Sequence, residues 1–141
     1  MKVTPYLFFS GQCREAFEFY AELLEGKVEA MMPYGGSPAA EHVPADRHKL
    51  IMYAYLTLGD QALMGSDEGP DDYKKPQGVR VSLHFDTPEE CDRVFAELAE
   101  GGTVAMPIEE TFWSLRFGMC TDRFGVPWMV NCSQAPEGAE Q

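Results

Sequence analysis

The most constraining feature of this sequence is an apolar pattern that occurs twice, 75 positions apart. The first copy consists of Ala16, Phe19, Tyr20 and Leu23, and the second of Cys91, Val94, Phe95 and Leu98. Each copy has the i, i+3, i+4, i+7 spacing of one stripe along an α-helix. Gly26 and Gly101 follow at the same offset, and glycine often ends a helix because the residue there needs a positive φ. The pattern predicts two copies of one structural module.

Strand-like runs surround both predicted helices in the same order. One run precedes each helix, over 3–10 and 79–85, and three follow it. The three are 27–33, 50–58 and 62–66 in the first half, and 103–111, 115–120 and 127–132 in the second. The first helix is expected over 12–25, and the second begins at a capping box formed by Thr87 and Glu90 around Pro88. The order predicts two βαβββ modules and an α+β fold.

Breaks between these elements indicate how the chain is organised. Residues 68–78 have linker composition and separate a first module at about 3–67 from a second at about 79–132. Residues 34–49 form a long loop of the kind that often becomes a lid or stays disordered, and the polar tail 133–141 is expected to fray. We expect one domain over 1–141. Two such modules side by side would form a curved mixed sheet with helices outside and a ligand cleft inside.

The charge balance and the cysteines limit the partners. The net charge is −12 with a pI near 4.5, so we expect no nucleic acid or membrane partner. No apolar run approaches the roughly 20 residues of a membrane span, and the N-terminus has no room for a signal core. A cytoplasmic protein is therefore expected. The four cysteines lack CxxC spacing and are expected to be buried thiols rather than redox or metal groups.

Three segments resemble one known family. They are PYLFF (5–9) leading to AFEFY (16–20), LMGSD (63–67), and TFWSLRFGM (111–119) with DRFGVPWMVN (122–131). Together they resemble the PhnB-like branch of the vicinal-oxygen-chelate superfamily, which includes glyoxalase I, extradiol dioxygenases and bleomycin or fosfomycin resistance proteins. The resemblance spans about residues 3–132 and implies paired βαβββ modules and, commonly, a homodimer. Members also carry a ubiquinone-pathway methyltransferase label, but the sequence has no Gly-rich strand-to-helix turn for a methyl-donor nucleotide.

The resemblance also implies a divalent metal, which enzymes of the superfamily hold with His, Gln or Glu from the first and last strands of the modules. Three of these positions fall on Pro5, Arg80 and Met129. Proline and a guanidinium offer no lone pair, and a thioether is a poor ligand for a hard ion. The fourth falls in 61–66, which contains no carboxylate or imidazole. The usual metal tetrad is expected to be absent, and no cofactor is predicted unless the site is relocated.

Strand alternation assigns side chains to the predicted cleft. In 79–85 the polar even-numbered residues should face the cleft, and the apolar odd-numbered ones should meet the helix. The same reasoning directs residues 127, 129 and 131 inward, with 5, 7 and 9 of the first strand, while Trp113 is a candidate for stacking. The predicted ligand-binding residues are Phe9, Arg80, Ser82, His84, Trp113, Arg116, Met129 and Asn131. Such a wall, mainly apolar with few oriented polar groups, is typical of a site for a planar or hydrophobic small molecule.

Several candidates have a simpler structural explanation. The aromatic residues could be packing residues, and His84 a hydrogen-bonded histidine at the rim of the core. His42 and His48 lie in the 34–49 loop, where they could form a surface metal site or close over the cleft, although a solvated loop is the interpretation we favour. Asp67 and Asp122 are interpreted as turn caps.

Two functions from different classes follow. The first is a protein that binds a small, partly apolar molecule without a metal, as sequestering resistance proteins do. The second is a metal-dependent lyase, isomerase or dioxygenase acting on adjacent oxygens, with a relocated site such as His84 and a carboxylate from a partner subunit. A third is a structural domain whose cleft is filled by its own side chains. Catalytic residues cannot be assigned from the sequence.

Overall fold

Each half of the chain forms the predicted series of elements. The computed structural model describes residues 1–136. The first half contains β1 (Tyr6–Phe9), α1 (Cys13–Leu23), β2 (Lys27–Pro33), β3 (Ile51–Leu58) and β4 (Gln61–Asp67). The second contains β5 (Val81–Phe85), α2 (Pro88–Ala99), β6 (Thr103–Glu109), β7 (Phe117–Thr121) and β8 (Pro127–Cys132). The α+β fold with two tandem βαβββ modules is confirmed.

The two sheets have the same strand order, β1-β4-β3-β2 and β5-β8-β7-β6. In each sheet the first pair is parallel and the others are antiparallel. The chain divides into two compact units, Met1–Lys74 and one that begins at Lys75, with the division inside the predicted linker. The same strand order in both units is what duplication of one module produces.

The segments outside the sheets have local structure of their own. The 34–49 loop contains two 3₁₀ helices, Pro38–His42 and Ala45–Arg47. His48 holds this loop together, because its Nε2 lies 3.1 Å from the Ala40 carbonyl oxygen and 2.9 Å from that of Val43. The predicted frayed tail includes residues 137–141, which lie outside the described residues. Along residues 1–136, none of the helices is long and apolar enough to span a membrane.

Helix α1 packs one apolar stripe on the first sheet, but its N-terminus is capped from a distance. Its buried residues are Cys13, Ala16, Phe17, Tyr20 and Leu23. Each large buried side chain contributes about 1.5–3 kcal/mol of burial energy. Gln12 makes no side-chain cap. Instead Asp67, at the end of β4, accepts hydrogen bonds from the N–H groups of Gly11 (2.9 Å) and Cys13 (3.0 Å) through Oδ1.

Helix α2 carries the local cap that the sequence predicts. Thr87 Oγ1 accepts a hydrogen bond from the Glu90 N–H at 3.3 Å, and its hydroxyl lies 3.2 Å from Glu90 Oε1. Pro88 occupies the first turn, where its missing N–H is not needed. The buried stripe is Cys91, Val94, Phe95 and Leu98, as predicted. The capping box therefore defines the start of α2 within four consecutive residues.

The ends of the two helices correct one detail of the predicted repeat. Positive φ occurs at Glu25 (56°) and Gly101 (76°), so Gly101 corresponds to Glu25 and not to Gly26. The sequence separation between equivalent positions of the two modules grows by one along the helices, because α2 has 12 residues and α1 has 11. Gly26 is required for space: a Cβ there would lie 2.7 Å from the Thr57 carbonyl oxygen. Gly102, its true counterpart, is crowded in the same way by the carbonyl oxygen of Thr121.

Candidate functional site

The sheet of the second module leaves one face uncovered by α2. Strand pairing places Ser82 opposite Met129 and His84 opposite Asn131, and it places Met119 opposite Met129. On the other face Trp128 and Val130 are fully buried, and Gly118 lies against Phe95 of α2. We call the uncovered set the module-two open face: Ser82, His84, Phe117, Met119, Met129 and Asn131. It unites four of the predicted ligand-binding residues.

A line of polar side chains crosses the module-two open face. Ser82 Oγ lies 3.2 Å from His84 Nε2, and Asn131 Nδ2 lies 3.2 Å from His84 Nδ1. Asn131 Oδ1 is buried and has no hydrogen-bond partner among the described residues. A buried acceptor without a partner costs about 1–3 kcal/mol. A hydrogen-bond donor on a bound molecule would remove that cost.

The predicted stacking residue Trp113 lies beside this face. Its ring centroid is 5.3 Å from that of Phe117, and the residue is 43% exposed. The loop that carries it is held by Ser114, whose hydroxyl donates to the carbonyl oxygens of Arg116 (2.7 Å) and Cys132 (2.9 Å). Trp128, in contrast, is fully buried. Trp113 thus offers an accessible aromatic surface on an anchored loop.

Arg80 lines a cavity of about 480 Å³ next to the open face. Its Nη1 donates to the carbonyl oxygen of Cys120 at 2.8 Å and to that of Trp128 at 3.4 Å. The remaining lining residues are Pro76, Gln77, Gly78, Val79, Thr121, Pro127 and Met129. We call this space the Arg80 cavity. Met129 belongs both to it and to the module-two open face, so the two are continuous.

The predicted position of Phe9 is wrong. Phe9 is fully buried, with its ring centroid 6.0 Å from that of Phe17 in α1, so it faces the helix. The uncovered face of β1 carries Tyr6 and Phe8, which are 41% and 44% exposed. Three residues separate β1 from α1, whereas two separate β5 from α2. The prediction aligned the two modules on their helices, and that alignment misplaces β1 by one residue relative to β5. A shift of one residue exchanges the two faces of a strand.

Arg116 also lies away from the open face. Its Nε donates to Asp92 Oδ1 of α2 at 2.9 Å, and its Nη1 donates to the Leu115 carbonyl oxygen at 2.7 Å. Phe117 begins β7 on the open face, and alternation along the chain directs the preceding side chain to the helix side. Arg116 therefore ties β7 to α2.

The first module contains a second cavity that the sequence did not reveal. Its volume is about 360 Å³, and its lining includes Tyr6, Phe8, Tyr34, His42, Arg47, Ser66, Glu68 and Asp72. It lies between the uncovered side of β1 and the 34–49 loop, so His42 closes over a cavity while His48 supports the loop. Burial raises the pKa of Tyr34, and the charge of Glu68 adds to that effect. The one signal in the sequence was the length of this loop.

Both buried aspartates support the fold: Asp122 caps a turn, as interpreted, whereas Asp67 caps the distant N-terminus of α1. Asp67 accepts a third hydrogen bond from the Ile51 N–H at 2.8 Å. Asp122 accepts from the N–H groups of Phe124 and Val126 at 2.9 and 3.0 Å, and its Oδ2 accepts from the Trp128 indole at 2.7 Å. Each carboxylate therefore accepts three hydrogen bonds from the fold.

The side chains available for a metal are few. Within residues 1–136, no group of three or more His, Cys, Asp or Glu is placed to hold a metal ion. At the positions that the superfamily uses, Arg80 donates to carbonyl oxygens and Met129 offers a thioether. These donors do not fit a divalent cation, because a guanidinium has no lone pair and a thioether prefers soft ions.

The chain is similar to known proteins over nearly its full length. Residues 1–131 match the family described as 3-demethylubiquinone-9 3-methyltransferase. Protein YjdN from Escherichia coli K12 is 35% identical over 139 residues, which span 93% of this chain and 95% of that protein.

Solved structures extend the comparison. Protein PA1353 from Pseudomonas aeruginosa is 50% identical, with a TM-score of 0.87 over 95% of this chain and 98% of that one. A Bacillus cereus protein described as a putative 3-demethylubiquinone-9 3-methyltransferase, PhnB protein, is 27% identical, with a TM-score of 0.81 over 94% of this chain and 100% of that one. A glyoxylase/bleomycin resistance protein/dioxygenase domain from Frankia shares the fold, at 16% identity and a TM-score of 0.56 over 94% of each chain.

Proposed function

The chain belongs to the PhnB-like family of the vicinal-oxygen-chelate superfamily, the family described as 3-demethylubiquinone-9 3-methyltransferase, and on that basis we propose that it binds a small, partly apolar molecule on the module-two open face without the usual metal tetrad. The observation that carries the proposal is the Ser82–His84–Asn131 line, which ends in a buried acceptor without a partner. The ligand would supply the donor for that acceptor.

The composition of the site supports this class of ligand. Phe117, Met119 and Met129 surround the polar line with apolar and polarizable surface, and Trp113 adds an exposed ring next to Phe117. Ligand sites typically combine such apolar walls with a small number of oriented polar groups. Methionine side chains adapt their shape to a flat molecule and interact favourably with its ring.

Two activities associated with the family are not carried over to this chain. Methyl transfer from a nucleotide donor usually needs a Gly-rich turn between strand and helix. Here the β1–α1 connection is Ser-Gly-Gln (10–12) and the β5–α2 connection is Asp-Thr (86–87). Metal-dependent lyase, isomerase or dioxygenase chemistry would need a relocated site at His84, whose two ring nitrogens already lie 3.2 Å from Ser82 and Asn131.

A neutral polarity-sensitive dye, Nile red, provides a direct test. We expect Nile red to bind the protein with increased emission, and Met119→Glu to weaken that binding by about tenfold or more, since it places a charge in an apolar wall. Val104→Glu is the matched control: Val104 pairs with Cys120 on the helix side of the same sheet and is 47% exposed. Equal binding by both variants would contradict a site on the open face.

We further propose that the protein acts as a cytoplasmic homodimer. Each sheet ends in edge strands, β1 and β2 in the first module and β5 and β6 in the second, and edge strands generally need cover. Sedimentation equilibrium tests the oligomeric state, and a monomer at all concentrations would refute the dimer.

A further inference from the structure

We propose that Arg80 binds an anionic group of the ligand, a carboxylate in the simplest case, in the Arg80 cavity. The proposal rests on the proposed function and specifies its ligand class: an organic anion with an apolar body. It starts from the position of the guanidinium, which lines a cavity of about 480 Å³, within the usual size range for small-molecule sites.

Two hydrogen bonds hold the guanidinium in place, and both are made by Nη1. Arg80 donates through Nη1 to the carbonyl oxygens of Cys120 and Trp128. A guanidinium has five N–H donors in a rigid fork, and its side formed by Nε and Nη2 matches a carboxylate in a bidentate manner. Since the two carbonyl bonds immobilise one end of the group, less conformational entropy is lost when the other end binds an anion.

The charge around Arg80 favours an anion despite the acidic chain. The net charge of the protein is −12, yet Arg80 is the one ionisable residue among those lining its cavity. Arg47, Arg93 and Arg116 each form an ion pair, whereas Arg80 forms none in the part of the chain that the structure describes. The nearby Asp122 has its carboxylate engaged by two backbone N–H groups and the Trp128 indole. No carboxylate of the described chain neutralises Arg80, and a ligand carboxylate would.

The apolar body of the ligand is indicated by the rest of the lining. Val79, Pro127 and Met129 provide carbon surface, while Gln77 and Thr121 add uncharged polar groups. Met129 continues onto the module-two open face, next to Met119. A single ligand can therefore place its anionic group at Arg80 and its ring on the methionines.

Three one-ring probes that differ in charge test the inference on the unmodified protein. We expect benzoate at neutral pH to bind at least about tenfold more tightly than benzyl alcohol, and benzylammonium more weakly than both, because a partly buried guanidinium attracts the anion and repels the cation. Isothermal titration calorimetry measures all three. Benzyl alcohol binding as tightly as benzoate would overturn the inference and leave the proposed function standing. Failure of all three rings to bind would overturn both.

Two substitutions locate the effect at Arg80. We expect Arg80→Gln to abolish the preference for benzoate over benzyl alcohol, with a much larger loss for benzoate than for benzyl alcohol. Arg80→Lys should restore part of the preference, since lysine keeps the charge but not the fork. Arg93→Gln is the matched control, because it makes the same charge change in an exposed helix pair with Glu97. An equal loss in both glutamine variants would overturn the inference. If Arg80→Gln does not fold, judged by its thermal melting, the three probes on the unmodified protein still decide.

Discussion

At the scale of single residues, buried polar groups divide into those that the fold uses and those that it leaves available. The carboxylate of Asp67 accepts three backbone N–H groups, and that of Asp122 accepts two with an indole. Asn131 Oδ1, in contrast, is buried with no partner within the described residues. Full satisfaction is the rule for buried polar atoms, so Asn131 is an exception, and the proposed ligand site rests on that exception.

The cysteines show the chemical consequence of burial. All four are buried and unpaired with one another as disulfides. Burial, reinforced by the charge of Asp67, raises the pKa of Cys13 to about 12. Burial also raises the pKa of Cys91 to about 12, with a contribution from Cys132, and that of Cys120 to about 11. The prediction of buried thiols is confirmed, and because the thiolate is the reactive form, the raised pKa values of Cys13, Cys91 and Cys120 lower their reactivity.

These pKa shifts predict how stability depends on alkaline pH. A thiol whose pKa is higher in the folded state stabilises the fold fully below its ordinary value of 9.0, and this contribution is lost as the pH rises toward the folded value. We therefore expect the free energy of unfolding to fall between about pH 9 and pH 12, and to fall less steeply in Cys13→Ala. Urea denaturation over that pH series measures both slopes. Because the two proteins differ only in the side chain at this position, identical slopes would contradict the role of Cys13.

At the scale of elements, one additional residue before α1 decides which side of β1 is buried. Equivalent bonds mark the ends of the two strands: the Glu68 N–H donates to the Phe9 carbonyl oxygen at 2.8 Å, and the Ser133 N–H to that of Phe85 at 2.7 Å. Phe9 therefore corresponds to Phe85, and Phe8 to His84. The module-two open face carries Ser82 and His84, whereas the equivalent positions on the uncovered face of β1 are Tyr6 and Phe8. The two modules therefore share a topology but differ in the chemistry of these faces.

Neighbouring phenylalanines of β1 test this assignment. We expect Phe9→Ala to lower the free energy of unfolding by about 3–5 kcal/mol, since it removes a fully buried ring and leaves a cavity. Phe8→Ala, the matched control, removes the same atoms from a residue that is 44% exposed and should cost about 1 kcal/mol or less. Chemical denaturation compares the two variants. A larger loss for Phe8→Ala would reverse the assigned faces.

At the scale of the whole molecule, each unit has its own sheet, helix and cavity, and the chemistry of the second unit directs the functional proposal. The superfamily fold is confirmed, whereas the metal positions that the resemblance predicts fall on residues that include a guanidinium and a thioether. Under the proposed function, the same βαβββ framework would let the Arg80 guanidinium, rather than a bound ion, interact with ligand oxygens.

The metal content of the purified protein is the matching prediction. The protein is dialysed against a chelator, incubated with Zn²⁺ or Mn²⁺, and then dialysed against metal-free buffer to remove unbound ion. We expect far less than one ion per chain by elemental analysis, because Arg80 and Met129 cannot replace metal ligands. His84→Ala serves as the comparison. One tightly held ion per chain that is lost in His84→Ala would refute the proposed function and favour the metal-dependent alternative.

Local features were predictable from the amino-acid order, because their causes lie within a few residues. Helical stripes, the capping box at Thr87 and the alternation of β5 and β8 each depend on neighbours in the chain, and Ser82, His84, Met129 and Asn131 were assigned correctly to one face. The faces of Phe9 and Arg116 were predicted wrongly, and the cavity of the first module was not predicted. They depend on the length of one connection, on an ion pair with Asp92 and on the path of the 34–49 loop.

The repeated pattern was sufficient to establish two βαβββ modules, since periodicity and caps are short-range properties. Only the tertiary structure decided that Asp67 caps α1 from 54 residues away and that the acceptor of Asn131 is left unpaired. It also decided that Arg80 binds two carbonyl oxygens while its charge lines a cavity. Each of these depends on contacts between strands and helices distant in the chain, and spacing along a sequence carries no measure of such distances.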